Sequence, residues 1–220
     1  MHSGKSENLT REELMRVAAR LFQHKGFRGT SMQDISTVLG IQKSSIYHYI
    51  TGKEDLLREI TRTTMNLLIR AGEEAALSAL EPEEKLRRLI RAHVRLTCEH
   101  LDLFTVTLRE LTPSNAASFW EEAVEARDRY ESLLRGILEA GVAGGIFRNA
   151  PIPLAGFALL GMVNWLIRWY KPEGSRNPGE IADILLDIFL NGLQIRNHAF
   201  GTRKDVPGHV VKERSRRLGS

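Results

Sequence analysis

The sequence predicts an all-α fold, and three observations predict it. Apolar residues recur at helical spacing along nearly the whole 220-residue chain, with no convincing run of alternation. Ser/Thr-led capping signatures open three successive apolar stretches near the N-terminus. Glycines follow those stretches where a helix needs a left-handed stop. The hydrophobic fraction of 42% excludes a wholly disordered chain. The length suffices for one large or two small domains with a buried core. The single cysteine, Cys98, excludes an internal disulfide framework and a multi-cysteine zinc cage.

Each element has its own justification. Thr10-Arg11-Glu12-Glu13 is a capping box, and Leu14, Val17, Ala18, Leu21 and Phe22 then form one face up to Gly26. Thr30-Ser31-Met32-Gln33 reads as a second box, opening a short helix with Met32, Ile35, Val38 and Leu39 inward and Gly40 at its end. A third short helix covers 42–49, with Ile46, Tyr49 and Ile50 as its apolar positions. Thr51-Gly52-Lys53-Glu54 reads as a third box, starting a long helix to Leu80. Beyond Pro82, helices are expected over 83–101, 102–111 and 116–141, with Thr112-Pro113-Ser114-Asn115 as a break and Gly141, Gly144 and Gly145 as a stop. Pro151 and Pro153 lead into an apolar helix ending near Trp169. Asn177-Pro178-Gly179-Glu180 then opens a last helix carrying Ile181, Ile184, Leu185, Ile188, Phe189 and Leu193.

The most apolar stretch, Ile152 to Ile167, contains Pro153 and Asn164 and meets Arg168. A spanning helix needs about 20 apolar residues, so the expectation is a helix buried on all sides in a core or a dimer interface, with no membrane partner. Residues 1–10 carry no apolar signal-peptide core, and a cytoplasmic location is expected.

Charge is placed unevenly. Residues 199–220 hold six basic and two acidic side chains, so the net charge of +4 resides in that tail, which reads as disordered. Basic pI alone is therefore weak evidence for nucleic acid. The stretch 25–53 is more informative, because Lys25, Arg28, Lys43 and Lys53 outnumber its acid, Asp34. The two short helices around Gly40 form a helix-turn-helix candidate. Lys43, Ser44, Ser45, Tyr47 and His48 project from the second helix; each can bond a phosphate or a base edge and none is acidic. Lys53 opposes the dipole of the helix it opens, which makes sense if an anion binds there.

The ordered set Thr30-Ser31-Met32-Gln33-Asp34-Ile35, Gly40-Ile41, Lys43-Ser44-Ser45-Ile46-Tyr47-His48-Tyr49 and Lys53-Glu54-Asp55-Leu56-Leu57 resembles the N-terminal domain of TetR-type repressors. The resemblance implies an all-helical homodimer that binds a palindromic double-stranded DNA operator. It implies that Lys43, Ser45, Tyr47 and His48 face the major groove or its backbone, and that Thr30 and Lys53 contact phosphates. Ser44 and Tyr49 complete the expected DNA-binding set. Gln42 departs from the family's Ser or Thr cap, and Ile50 replaces its usual Phe.

A second segment, Gly161-Met162-Val163-Asn164-Trp165-Leu166-Ile167-Arg168-Trp169-Tyr170-Lys171-Pro172-Glu173-Gly174, resembles one in TetR-type regulators of fatty-acid and steroid catabolism. Several of those respond to acyl-coenzyme A thioesters, which implies a small-molecule inducer of that class. Trp165 and Trp169 are i, i+4 neighbours beside Arg168, a set able to receive an adenine ring or a phosphate. The same tryptophans suit packing in a dimer interface formed by the last two helices. Arg109 and Arg168 are the basic groups expected to meet an anionic ligand, and Phe104, Leu108, Phe119, Trp120 and Tyr130 suit either an apolar pocket or ordinary core.

Other chemistries are declined. His93, Cys98, Glu99 and His100 lack zinc-finger spacing and read as a packed cysteine with surface histidines. Gly4-Lys5-Ser6 lacks the upstream glycine of a phosphate loop, and no nucleophile elbow occurs. No catalytic residue, metal or cofactor is expected. The chain is thus expected to comprise a helix-turn-helix domain at 8–68 (the motif itself at 31–50), a ligand-binding and dimerisation domain at 69–198, and the tail at 199–220. The expected function is a ligand-released transcriptional repressor. The alternatives are a repressor answering another hydrophobic or aromatic compound, and a helical carrier or interaction module without DNA binding.

Overall fold

The computed structural model describes residues 10–193, all of whose regular elements are helices. They are α1 (Arg11–Lys25), α2 (Met32–Leu39), α3 (Lys43–Ile46), α4 (Lys53–Ala76), α5 (Pro82–Glu99), α6 (Leu101–Glu110), α7 (Trp120–Ala143), α8 (Ile152–Asn164), α9 (Leu166–Trp169) and α10 (Pro178–Leu193). The tail at 199–220 lies outside the described residues.

At the first cap, the N-cap half of the expected box is present: the Thr10 hydroxyl accepts from the Glu13 N–H at 3.1 Å. The second shifts by one residue. Ser31, not Thr30, caps α2, accepting from the Asp34 N–H at 3.1 Å while the Asp34 carboxylate accepts from the Ser31 N–H at 2.8 Å. The third shifts as well. Gly52 caps α4 without a side chain, and Thr51 donates through its N–H and hydroxyl to Asp55, both at 2.9 Å. Glu54 instead receives the Ser118 N–H and hydroxyl at 2.8 and 2.9 Å, tying the start of α4 to the α6–α7 loop.

Three other expectations are corrected. Val38 is 60% exposed, because α2 centres its buried face on Ile35 and Ser36 and turns Val38 outward. The second helix of the motif is one turn, Lys43–Ile46, followed by turns rather than helix through residue 49. The apolar stretch 152–169 divides at Trp165 into α8 and α9 and is not buried on all sides. By length and composition it is long and apolar enough to cross a membrane; here α8 buries Gly156, Leu159 and Val163 against the bundle and leaves Leu154 and Phe157 exposed.

Two apolar clusters organise the packing. One joins Leu14, Phe22, Ile35, Ile46 and Ile50 to Leu56, Leu57 and Ile60 of α4 and to Leu103 and Val106 of α6. The other joins Met65, Leu68 and Ile69 of α4 to α5, α7, α8, α9 and α10. Helix α4 therefore belongs to both.

His93 lies in the middle of the apolar stripe of α5, with Leu86, Leu89, Ile90 and Val94, and is 2% exposed. It is not a surface histidine. Its Nδ1 is 2.9 Å from the Tyr130 hydroxyl. Burial pushes its pKa from 6.5 down to about 3, so the folded protein keeps the ring neutral. The unfolded chain takes up a proton near 6.5 and the folded chain does not. This contribution to stability is therefore complete above pH 6.5 and is lost as pH falls toward 3, with a slope of up to about 1.4 kcal/mol per pH unit. Denaturant titrations run from neutral pH down to the onset of carboxylate protonation are expected to show a falling midpoint in the native protein. The fall is expected to be shallower in His93→Gln.

Candidate functional site

The surface around α2 and α3 is built from below. Ile46 is fully buried and Ile50 is 4% exposed; together they anchor a segment with little helix of its own. Gly40, with φ 66° and ψ 26°, closes α2 in the left-handed conformation, and its N–H bonds back to the Ser36 and Thr37 carbonyls. Gln42 precedes α3 without a side-chain cap, in keeping with its departure from the usual Ser or Thr. From this base Lys43, Ser44, Tyr47, His48 and Tyr49 are exposed and Ser45 is half-buried. The Lys43 ammonium lies 5.9 Å from the Tyr47 ring centre. No acidic residue occurs between Gly40 and Lys53. The nearest carboxylates are engaged. The Lys25 ammonium, 2.7 Å away, and the Ser31 groups hold the Asp34 carboxyl well below the usual range, and Asp55 is committed to Thr51.

Two residues expected at phosphates make contacts within the head. Thr30 is 2% exposed, and its hydroxyl donates inward to the Gly26 carbonyl at 2.9 Å. Capping has passed to Ser31, which leaves Thr30 to close the α1–α2 turn. The Lys53 ammonium donates to the Thr30 carbonyl at 2.9 Å and lies 4.6 Å from the Phe27 ring centre, and partial burial lowers its pKa. Its placement at a helix N-terminus thus has an internal reason. Lys25 and Arg28 are also engaged, the latter with Ser114 and Asn115 at 2.9 and 3.2 Å. Lys43 is the one of the four basic residues in 25–53 with no hydrogen bond among the described residues.

A cavity of about 550 Å³ lies between α4, α5, α6, α7 and α8. Phe104, Leu108 and Tyr130, expected on sequence grounds, line it. So do Thr64, Met65, Leu68, His93, Thr107, Phe157, Leu160 and Asn164, which the sequence reading missed. The signal for His93 was a lone imidazole inside an apolar helical stripe; the two threonines gave none. Their hydroxyls meet at 3.1 Å, joining α6 to α4 in the cavity wall. Arg127 and Glu131 also border it, bonded to Asp128 and Arg135 respectively.

The remaining expected ligand residues do not reach this cavity. Arg109 is exposed on the opposite side of α6, and Trp120 packs against the N-terminal cluster. Phe119 belongs to the core of that cluster, beneath the Arg58 guanidinium at 5.3 Å. Trp165 and Trp169 are 61% and 46% exposed, because the break after Asn164 turns them away from the bundle. Arg168 lies 5.6 Å from the Trp165 ring centre on that outer surface. Trp169 borders a separate groove with Lys171, Arg176 and Ile184. Leu154, Phe157, Ile184 and Ile188 are further exposed apolar residues on α8 and α10. No cluster of three metal-ligating side chains occurs among the described residues.

Helix α6 also holds the N-terminal bundle. Glu110 at its end accepts from the Phe27 N–H at 3.2 Å, and Thr105 lies 3.5 Å from the Gln23 amide nitrogen. Leu103 and Val106 enter the N-terminal cluster while Phe104 and Thr107 face the cavity.

Comparison with known proteins fits this arrangement. Residues 14–60 match the family described as bacterial regulatory proteins, tetR family, and residues 79–193 match the tetracyclin repressor-like C-terminal domain. The HTH-type transcriptional repressor KstR2 of Rhodococcus jostii is 31% identical over 195 residues, covering 87% of this chain and 93% of its own. The crystal structure of PfmR from Thermus thermophilus, a TetR family transcriptional regulator, superposes with a TM-score of 0.74 at 38% identity, covering 83% of this chain and 99% of that one. AibR, solved in complex with isovaleryl coenzyme A and operator DNA, superposes with a TM-score of 0.70 at 28% identity, covering 80% of this chain and 96% of that one. These are regulators, not enzymes. The chain belongs to the TetR family of helix-turn-helix transcriptional repressors.

Proposed function

We propose that the protein is a homodimeric, cytoplasmic repressor that binds a palindromic operator and is released from it by an acyl-coenzyme A thioester. Residues 8–68 form the reading head and 69–198 the ligand-binding and dimerising body. Lys43, Ser44, Ser45, Tyr47, His48 and Tyr49 contact DNA. Thr30 and Lys53 hold the head together beneath them.

The observation that carries the ligand-responsive part is the continuity of α4. Leu56, Leu57 and Ile60 sit in the core of the head, and one turn later Thr64, Met65 and Leu68 line the cavity. A ligand that fits one setting of α4 better than another changes the placement of α3. A coupling of about 1–3 kcal/mol would shift operator affinity several-fold to a hundredfold. The acyl-thioester class is supported by the apolar, acyl-sized cavity and by the bound isovaleryl coenzyme A in AibR. A second reading, release by another hydrophobic compound, is favoured by one fact: Arg168 and the two tryptophans lie outside the cavity.

The dimer is supported by the α8–α10 face. Leu154, Phe157, Trp165, Ile184 and Ile188 are each at least 40% exposed, and a monomer rarely leaves such a patch in water. Binding two half-sites in successive major grooves requires the two α3 segments about 34–36 Å apart.

The test is a gel shift, at stated salt, with the DNA flanking the protein's own gene and with a graded series of acyl-coenzyme A esters. Specific binding relieved by one ester class is expected; binding that no ester relieves would contradict the inducer assignment. Tyr47→Ala is expected to weaken specific binding by about fivefold to a hundredfold, a loss of about 1–3 kcal/mol, and to leave the oligomeric state unchanged. Ile188→Asp is expected to convert the dimer to monomer in sedimentation analysis. A dimer that survives it would place the interface elsewhere.

A further inference from the structure

The cavity has one feature that neither the family match nor the apolar lining accounts for. His93 lines it with its ring 2% exposed, and its Nε2 has no hydrogen-bond partner among the described residues. An unpaired buried N–H costs free energy, and such groups are rare without a reason. The tautomer follows from counting donors. If the Tyr130 hydroxyl donates to Nδ1, the pair leaves one unmatched donor, the Nε2–H. If Nδ1–H donates instead, the tyrosine proton and the Nε2 lone pair are both stranded. The first arrangement leaves less unsatisfied, so Tyr130 fixes His93 as an Nε2–H donor.

His93 borders the cavity, and its Nε2 is covered by neighbouring side chains in this structure. We propose that this Nε2–H becomes the polar recognition group of the cavity when an entering ligand parts those side chains, and that the ligand offers it an uncharged oxygen acceptor: the carbonyl of a ketone, an ester or a thioester. The inference rests on the ligand-responsive reading and names the chemistry at its buried end. A carboxylate would be poorly served there. The imidazole stays neutral, and the bordering guanidinium of Arg127 is exposed and already bonded to Asp128. Burying an unpaired anion costs far more than one neutral hydrogen bond returns. Phe104 and Leu160, by contrast, suit the apolar remainder of such a molecule.

The test uses a matched pair of probes, cyclohexanone and methylenecyclohexane, which differ in whether an oxygen or a methylene occupies one position. NMR of the full chain with nitrogen-labelled histidine reads the His93 tautomer and the response of its Nε2–H. Protonation at Nε2 is expected in the free protein, with the ketone shifting that signal and binding about tenfold more tightly than the alkene. His93→Phe is expected to bind the two alike. Tyr130→Phe, which keeps the ring and the packing, is expected to lose the single tautomer and most of the preference. A free protein protonated at Nδ1, a ketone that does not bind, or a ketone and alkene bound equally would each overturn the proposal. The acyl-thioester reading is separable. A protein that prefers the ketone but ignores isovaleryl coenzyme A keeps the His93 assignment and loses the thioester.

Discussion

The sharing of α4 between two apolar clusters is the constraint on which the rest of the structure depends. A helix of 24 residues buries its first turns among α1, α2, α3 and α6, and its later turns among α5 and α7. No flexible linker separates head from body at this point, so the orientation of the motif is a function of how the body packs. Removing Ile60 or Leu57 from the core would loosen α3 as well as α4, because Ile46 packs in the same cluster. The head also gains little from local helix formation in α3, whose single turn falls far below the length at which a helix stands alone. Its position is set by tertiary contacts, and so responds to them.

Helix α6 makes the second connection. Its residues alternate between the N-terminal cluster and the cavity wall, and Glu110 bonds the backbone at Phe27. The hydroxyl pair of Thr64 and Thr107 joins α4 to α6 beside the cavity. A ligand between these helices therefore acts on both supports of the head together. A ligand-driven shift requires that these contacts differ between two settings of the head. The polar residues inside the cavity belong to the same logic. Thr107 donates to Thr64 and Tyr130 pairs with His93 Nδ1, which leaves the His93 Nε2 as the buried polar atom of the cavity wall without a partner among the described residues.

The fold was largely legible because helix signals here are local. Periodicity and glycine stops located nearly every element; boundaries moved, and the stretch 152–169 divided in two. The capping errors were of one kind. Adjacent hydroxyls at Thr30 and Ser31, and adjacent acids at Glu54 and Asp55, offered equally good local patterns. Tertiary contacts chose between them, drawing Thr30 toward Gly26 and Glu54 toward Ser118. The exposed surface of α3 was legible for the same local reason. The cavity was not, because its walls come from five helices and no spacing rule links them. Trp165 and Trp169 beside Arg168 suited either packing in a dimer interface or a ligand, and in the structure both are exposed beyond the break after Asn164. His93 was visible but misjudged. Leu89, Ile90 and Leu96, three or four positions away, were apolar, and that stripe was better evidence of burial than its spacing to His100 was of a surface position.

The central claim is that filling the cavity moves the two reading heads relative to each other. Spin labels placed through Val38→Cys, exposed on α2 and outside the DNA-contacting set, in a Cys98→Ser background, one per protomer, read that distance by pulsed electron resonance. A separation set by the groove repeat of about 34–36 Å is expected on operator DNA, with a shifted or broadened distribution once a releasing ligand is added. A ligand that releases DNA while leaving the distance distribution of the free dimer unchanged would contradict the account.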